Sequence, residues 1–294
     1  MFGWGGGYEH LMSVATVITP GVVTRFAPSP TGDLHLGGAL VAMASCTRGV
    51  MRLRVEDLDP PRIVAGSAER IIVDLEWLGI AWQGEVVWQS RRTDAYERAI
   101  AELDRKGLVY PCDCSRAEIA RVASAPHEGE DVLYPGTCRD KDPKREMKRQ
   151  PALRVLVEGS VGFDDLVMGR FDQDLARDVG DFVLRRGDGV FAYQLAVAVD
   201  DAEMGITEVV RGRDLLASTP RQLYLMHQLA FTKCPVYAHV PLVVGPDGAR
   251  LSKRTPGSRV RELREAGVSR ERVRRWLTGL LPWPDRDVSI PARW

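Results

Sequence analysis

Apolar and polar positions along the chain fall into blocks that read in turn as strands and helices. Residues 22–26 form a short apolar run that stops at Pro28, Pro30 and Gly32, the pattern of a buried strand entering a loop. Residues 36–48 carry few helix breakers after one glycine pair and predict a helix. Residues 51–55 predict the next strand, 65–78 an amphipathic helix, 93–106 another helix and 108–111 a third strand. Such alternation predicts an α/β fold built on a parallel, doubly wound sheet. From Cys112 to about Gly180 the pattern breaks into prolines, charged turns and short runs at 152–157 and 161–164, which reads as an inserted module. Alternation resumes with strands expected at 181–185, 190–199 and 206–210 and a long helix from about 214 to 231. Past Pro241, an apolar run at 242–244 meets a Pro246-Asp247-Gly248 turn, a loop, and helices from about 260 to 280. The expected organisation is a loose extension (1–21), one sheet domain in two halves (22–111 and 181–245), the insert between them (112–180), and a loop with a helical C-terminal region (246–294).

At 294 residues, 45% hydrophobic and 27% charged, the chain can bury one large core or two modest ones. Forty basic residues balance forty acidic ones, so the bulk charge announces no nucleic-acid partner and any such surface must be local. One local excess exists: residues 250–275 hold ten basic residues against Glu262, Glu265 and Glu271. It suits phosphate contacts, or it is no more than a solvated helix face. Five cysteines, an odd number without a secretory leader, argue against a disulfide framework and for free or metal-bound thiols in a reducing cytoplasm. No apolar run reaches about 18 residues, so no membrane-spanning helix is expected. The start, with Gly3, Gly5, Gly6 and Gly7, reads as a loose extension.

Four stretches carry candidate chemistry. In the first, Arg25 to Gly38, a strand gives way to a helix whose first N–H groups suit a phosphate, Gly37 and Gly38 permit close approach by a nucleotide, and His35 can hydrogen-bond phosphate as charge builds on it. The alternative is a tight turn with a buried histidine. In the second, Leu53 to Arg62, Glu56 stands at a strand's carboxyl end, where it can pair with a substrate ammonium or belong to a solvated acidic turn. In the third, Lys253 sits in Leu251-Ser252-Lys253-Arg254 on a mobile loop suited to a leaving pyrophosphate, although a short basic loop is often merely solvated. In the fourth, Tyr193 and Arg211 stand out from two apolar runs; Arg25 and Arg211 can each fork onto a carboxylate, which favours glutamate over glutamine. Separately, Cys112, Cys114 and Cys138 offer three thiolates that one further donor would complete as a tetrahedral zinc site, His127 being a candidate for that place. Idle thiols are the equal alternative.

Together these motifs resemble the glutamyl and glutaminyl branch of the class I aminoacyl-tRNA synthetases, whose catalytic domain is Rossmann-like. His35-Leu36-Gly37-Gly38 matches that branch's form of the His-x-Gly-His signature, and Arg250-Leu251-Ser252-Lys253-Arg254 its Lys-Met-Ser-Lys-Ser loop, with Arg250 and Leu251 substituting at the first two places. The resemblance implies ATP, with Mg²⁺, held by Pro28, His35, Gly37, Gly38, Leu251, Ser252 and Lys253, of which His35 and Lys253 are catalytic. It implies glutamate held by Arg25, Phe26, Ala27, Pro28, Ser29, Glu56, Tyr193 and Arg211. It also implies one structural Zn²⁺ on Cys112, Cys114, Tyr134 and Cys138, since the chain resembles the glutamyl-queuosine tRNA(Asp) synthetases, short relatives of the glutamyl-tRNA synthetases. With the sequence ending at Trp294, no anticodon-binding domain is expected, which suits transfer of glutamate to the queuosine base in the anticodon of tRNA(Asp). A cytoplasmic monomer is expected. The alternatives are a truncated glutamyl-tRNA synthetase charging tRNA(Glu) at its 3′ end, and a non-catalytic synthetase-like regulatory binding protein.

Overall fold

A computed structural model of the chain describes residues 19–115, 117–119, 133–245, 248, 251, 255, 257–281, 286–291 and 294. His127, Arg250, Ser252, Lys253 and Arg254, and all but the last residues of the N-terminal extension, lie outside the described residues.

The first half begins with β1 (Val23–Phe26), α1 (Leu36–Arg48) and β2 (Val50–Val55), and β1 pairs parallel with β2 from Val23↔Val50 to Phe26↔Leu53. The buried face of α1 is Leu36, Ala39, Leu40, Ala42, Met43, Ala44 and Ser45, mostly small residues that let the helix lie close on the sheet. Next come α2 (Ser67–Trp77), β3 (Val87–Trp88), parallel to β2, and α3 (Thr93–Arg105). In α3 the buried residues Tyr96, Ala99, Ile100 and Leu103 recur at helical spacing, which is why that helix was legible.

The chain then builds β4 (Val109–Cys112), β5 (Ala152–Val155), β6 (Ser160–Asp165), β7 (Gly169–Asp174), the short α4 (Leu175–Asp178) and β8 (Val183–Arg185). The strand expected near 108–111 does form, but it pairs antiparallel with β5, which pairs antiparallel with β8. The third parallel strand of the first half is instead β3, too short at two residues to leave a period in the sequence.

A second correction concerns the run at 190–199. It forms a helix, α5 (Tyr193–Glu203), with Leu195 to Asp201 all buried. A segment buried on every side has no polar face and therefore no period to distinguish strand from helix. After α5 come β9 (Glu208–Gly212), α6 (Thr219–Gln228) and β10 (Val236–Val240), and β9 and β10 are parallel from Val236↔Glu208 to Val240↔Gly212. The long helix expected from 214 is shorter, because a 3₁₀ turn occupies Arg213–Ser218 and Pro220 lies in the first turn of α6. β9 runs beside β1, with Thr207 N–H donating to Val23 O at 2.9 Å and Val23 N–H to Thr207 Oγ1 at 2.9 Å. The parallel order is therefore β3-β2-β1-β9-β10, a doubly wound sheet whose direction of winding reverses between β1 and β9. The hairpin β6–β7 joins the far edge at Tyr237↔Asp165.

Beyond β10 lie β11 (Val243–Val244), α7 (Val260–Glu265), α8 (Arg270–Gly279) and β12 (Val288–Ser289). Val260, Leu263, Val273 and Leu277 of the two helices share a core with Leu36, Leu40, Leu53 and Leu75. Asp74 of α2 is buried at this junction with neither carboxylate oxygen hydrogen-bonded; Arg264 Nη1 stands 3.2 Å from Oδ1 but is not aligned to donate. Burial pushes its carboxyl up to about 6 against the opposing pull of Arg264. The folded value exceeds the ordinary one of 3.8, so this group's contribution is full below about pH 4 and is lost as pH rises through about 6. Asp74→Asn is accordingly expected to stabilise the fold at neutral pH by about 1–3 kcal/mol. Urea midpoints at neutral and mildly acid pH check this, and a gain equal at both would contradict it.

Candidate active site

A cavity of about 470 Å³ opens at the carboxyl ends of β1 and β9, beside the reversal in sheet order where such folds hold ligands. Arg25, Phe26, Ala27, Ser29, His35, Gly37, Gly38, Glu56, Tyr193, Arg211 and Leu251 all line it. Pro28 contributes through its carbonyl, which accepts Glu56 N–H at 3.0 Å and ties the loop after β1 to the end of β2.

His35 is exposed and forms the N-cap of α1, its ring Nδ1 accepting Gly38 N–H at 3.1 Å. In the neutral ring the proton is then on Nε2, which gives the site a donor. A Cβ on Gly37 would stand 3.1 Å from His35 Nδ1 and press on the ring. The first turn of α1 is less open to an anion than its position suggests, because Leu36 N–H donates to Ser258 O at 2.8 Å and Gly38 N–H to His35.

Behind the cavity lies a buried ionic network. Arg54 Nη1 donates to Asp201 at 2.6 Å and Arg54 Nη2 to Glu56 Oε1 at 3.1 Å; Arg25 Nε lies 3.3 Å from Asp201, and Arg25 Nη1 donates to Val210 O at 3.2 Å. The neighbouring Asp200 accepts from Gln89 at 2.8 Å, Arg92 at 2.6 Å and Tyr96 at 2.9 Å. Burial works against the charge on Asp201, yet Arg25 and Arg54 hold its carboxyl below the ordinary range. Burial instead pushes Glu56 up, with Arg54 and Arg25 opposing, and pushes up the phenol of Tyr193. Sequence reasoning passed over Arg54, Asp200 and Asp201. Their only sequence signals are an arginine two residues before Glu56 and an adjacent acid pair closing an apolar run.

Arg211 is held differently. Its Nε donates to His239 Nε2 at 2.9 Å, Nη1 to Gln222 Oε1 at 2.9 Å and Nη2 to Thr219 Oγ1 at 2.6 Å. Arg25 and Arg211 thus converge on one cavity, but among the described residues only Arg25 of the two is in direct contact with a protein carboxylate.

A second cavity, of about 790 Å³, adjoins the first and shares Ser29, Glu56, Arg62 and Tyr193 with it. Its other wall comes from the insert, at Cys114, Ile119, Ala152 and Arg154, and from Arg186, Asp188 and Phe191.

The three thiols of the insert come together: the Sγ atoms of Cys112, Cys114 and Cys138 all lie within 4.8 Å of one another, Cys114 and Cys138 at 3.6 Å. Tetrahedral zinc with bonds of about 2.3 Å separates its sulfurs by about 3.8 Å, so the cluster fits a metal. Tyr134 Oη lies 3.3 Å from Cys112 Sγ and accepts Cys138 N–H at 2.9 Å, so the phenol stands beside the cluster. Burial and the adjoining thiols push Cys114 up to about 12 and the Tyr134 phenol well above its usual range, so binding a metal would release protons from this cluster. The bond from Lys148 N–H and the Arg145 guanidinium pull Asp113, between the two cysteines, down to about 2, which fastens the Cys-x-Cys turn.

The basic stretch near the C-terminus is largely compensated where it is described. Arg259, Arg261, Arg264 and Arg270 pair with Glu262, Glu265, Asp74 and Glu271, and Arg274 caps α2 at Leu78 O and Gly79 O. No helix among the described residues is long and apolar enough to cross a membrane.

The doubly wound sheet, the cavity at its reversal point and the motifs around that cavity coincide with a match over residues 21–287 to the tRNA synthetases class I (E and Q), catalytic domain. The chain belongs to this synthetase family. It is 52% identical over 249 residues to the glutamyl-Q tRNA(Asp) synthetase of Geobacter sulfurreducens, covering 83% of this chain and 79% of that one. It is 48% identical over 238 residues to the enzyme of the same name from Neisseria meningitidis serogroup C, covering 79% and 80%. A glutamate tRNA ligase from Elizabethkingia meningosepticum, solved in complex with its amino acid, superposes with a TM-score of 0.68 at 30% identity. That match covers 80% of this chain and 52% of the ligase, so the synthetase spans about half the length of that solved relative. The synthetase is an enzyme, a ligase of the aminoacyl-tRNA synthetase type.

Proposed function

We propose that this synthetase activates L-glutamate with ATP, without need of tRNA, and transfers it to the queuosine base in the anticodon of tRNA(Asp). The observation that carries the first half is the convergence of Arg25, Glu56, Tyr193, Arg211 and His35 on one cavity at the reversal of the sheet. The relatives named above support the acceptor.

In the first step an oxygen of the glutamate α-carboxylate attacks the α-phosphorus of ATP, and the bond to the β-phosphate bridging oxygen breaks as pyrophosphate leaves. In the second, a queuosine hydroxyl attacks the acyl carbon of glutamyl-adenylate, AMP leaves, and the hydroxyl proton is lost. Glu56 pairs with the substrate ammonium, Arg211 forks onto a carboxylate, and Arg25 and Tyr193 line the same subsite. Phe26, Ala27, Pro28 and Ser29 bring the backbone after β1 against the amino acid. His35 Nε2–H donates to phosphate; Gly37, Gly38 and Leu251 pack beside the nucleotide, and the role of Ser252 rests on the sequence motif. Such donors work by stabilising charge that develops in the transition state. Mg²⁺ bound with ATP would supply neutralisation of phosphate charge.

A structural Zn²⁺ on Cys112, Cys114, Cys138 and Tyr134 would hold the insert at residues 112–180 in the shape that walls the larger cavity. The acceptor nucleoside enters there.

Lys253, whose role rests on the sequence motif, is expected to follow the leaving pyrophosphate. Lys253→Ala should lower ATP–pyrophosphate exchange by about two orders of magnitude or more, as for loss of one transition-state donor; an unchanged rate removes Lys253 from the mechanism. Labelled glutamate supplied with tRNA(Asp), with and without queuosine, and with tRNA(Glu) tests the acceptor. Label on queuosine-containing tRNA(Asp) alone is expected. Charging of tRNA(Glu) alone would overturn the reading in favour of a glutamyl-tRNA synthetase, and failure to exchange with any amino acid would favour a non-catalytic binding protein.

A further inference from the structure

Arginine carries five N–H donors, and three of those on Arg211 are committed to His239 Nε2, Gln222 Oε1 and Thr219 Oγ1. All three acceptors are neutral. His239 Nδ1 lies 2.6 Å from Asp165 Oδ2, and because an ionised carboxylate only accepts, the ring proton is on Nδ1 and the Nε2 lone pair faces Arg211. Burial and the nearby guanidinium lower the pKa of His239 against the pull of Asp165, so the ring stays uncharged. The charge of Asp165 is already absorbed by three N–H groups, those of Val167 at 3.0 Å, Met168 at 2.9 Å and His239 at 3.1 Å. The amide of Gln222 has one orientation: its Nε2 donates to Gln194 Oε1 at 3.0 Å, which turns Oε1 toward Arg211.

No described carboxylate forms an ion pair with Arg211, whereas Arg25 and Arg54 both do so with Asp201. The other charges that face this group, Asp201 and Arg25, act through space and already belong to the neighbouring network. Two N–H donors of a buried guanidinium that lines the cavity thus remain, and its charge meets no described carboxylate in direct contact, only the face of the Tyr237 ring at 5.3 Å.

We infer that Gln222, Thr219 and the Asp165-fixed His239 are positioning residues that set the preference of this site for a carboxylate over a carboxamide, by holding Arg211 with neutral acceptors and leaving its charge for the substrate. The inference rests on the reading that Arg211 contacts the amino acid, and specifically its side-chain carboxylate. A side-chain carboxylate completes a charge-assisted fork with Arg211; the carboxamide of glutamine offers one neutral oxygen and places donors against donors. A protein carboxylate in the collar would remove that difference.

The test is ATP–pyrophosphate exchange by the full chain with glutamate and with glutamine, KM and kcat being measured separately. Gln222→Glu keeps the side-chain shape and adds a charge 2.9 Å from Arg211. It should raise the glutamate KM by at least about 10-fold, as for compensation of one close charge, and reduce the ratio of kcat/KM for glutamate over glutamine by a similar factor. Thr219→Asp repeats the charge test at the first residue of α6, where an acid suits the helix dipole, and answers if the other variant does not fold. Gln222→Met removes the acceptor without adding charge, so it loosens Arg211 and should lower the ratio clearly less than Gln222→Glu does. Equal effects of Gln222→Glu and Gln222→Met on the ratio, or none from either charged variant, would overturn the inference. Arg211→Met separates the two readings: an unchanged glutamate KM removes the carboxylate contact itself, and the collar with it. A raised KM in Arg211→Met beside unaffected charged variants overturns the collar alone.

Discussion

Glu56→Gln is expected to lower the kcat/KM of glutamate-dependent ATP–pyrophosphate exchange by about two orders of magnitude or more, with the loss falling mainly on the glutamate KM. The carboxylate lies at the end of β2, is shared by both cavities, and already accepts from Arg54 at 3.1 Å. An ammonium bound in this buried place without its partner is left uncompensated, at a cost of about 3 kcal/mol or more, which is about two decades in rate. Arg54 keeps its 2.6 Å bond to Asp201 in the variant, so the network behind the site persists and the fold with it. The pH dependence follows from the same burial. Glu56 titrates above the ordinary glutamate range, and its ionised form is the one that holds an ammonium, so kcat/KM should climb with pH along an acid limb displaced upward from that range. The variant should lack that limb. Profiles from about pH 5 to 8 decide the matter: a variant with the wild-type KM and the wild-type limb means that Glu56 does not bind the amino group.

The second large effect concerns the thiol cluster. Cys138→Ser should abolish metal binding, read as metal content per chain by mass spectrometry, and lower transfer to tRNA by about 10-fold or more. Exchange should stay within about threefold of wild type, because no described residue of 112–180 lines the smaller cavity, whereas Cys114, Ile119, Ala152 and Arg154 help wall the larger one. The cluster also supplies much of its local core, with Tyr110, Cys112, Tyr134 and Cys138 buried together against Leu156. A metal-free chain that transfers at the wild-type rate would assign the cluster no part in placing the acceptor. Equal loss of both activities would mean that the insert supports the whole sheet rather than one wall.

Much of this site was legible before any coordinates. The turn from β1 into α1, Glu56 at the end of β2 and the grouping of Cys112, Cys114 and Cys138 in the insert all depend on features close together in the chain. Prolines and glycines force the loop, a short apolar run makes the strand, and the strand's end points its carboxylate at the crevice. The basic C-terminal stretch shows the limit of such reading: its charge and the nearby Glu262, Glu265 and Glu271 were visible, but Asp74 of α2, which faces Arg264, is its neighbour only in the fold.

What the sequence by itself determined, then, is the motifs that the chain offers to the candidate site and most of the strands and helices that carry them. Tertiary structure alone decided how those side chains are charged and held. Arg25 meets Asp201 from 176 residues away, and His239 is fixed by Asp165 from 74 residues away, across the junction of β10 with β6. A buried charge takes whichever partner the sheet order brings to it, and no local pattern encodes that order. The same reason explains the misread helix at Tyr193–Glu203, where burial on all sides erased the polar face that periodicity needs, while the fold aimed its Asp200-Asp201 pair at Arg54.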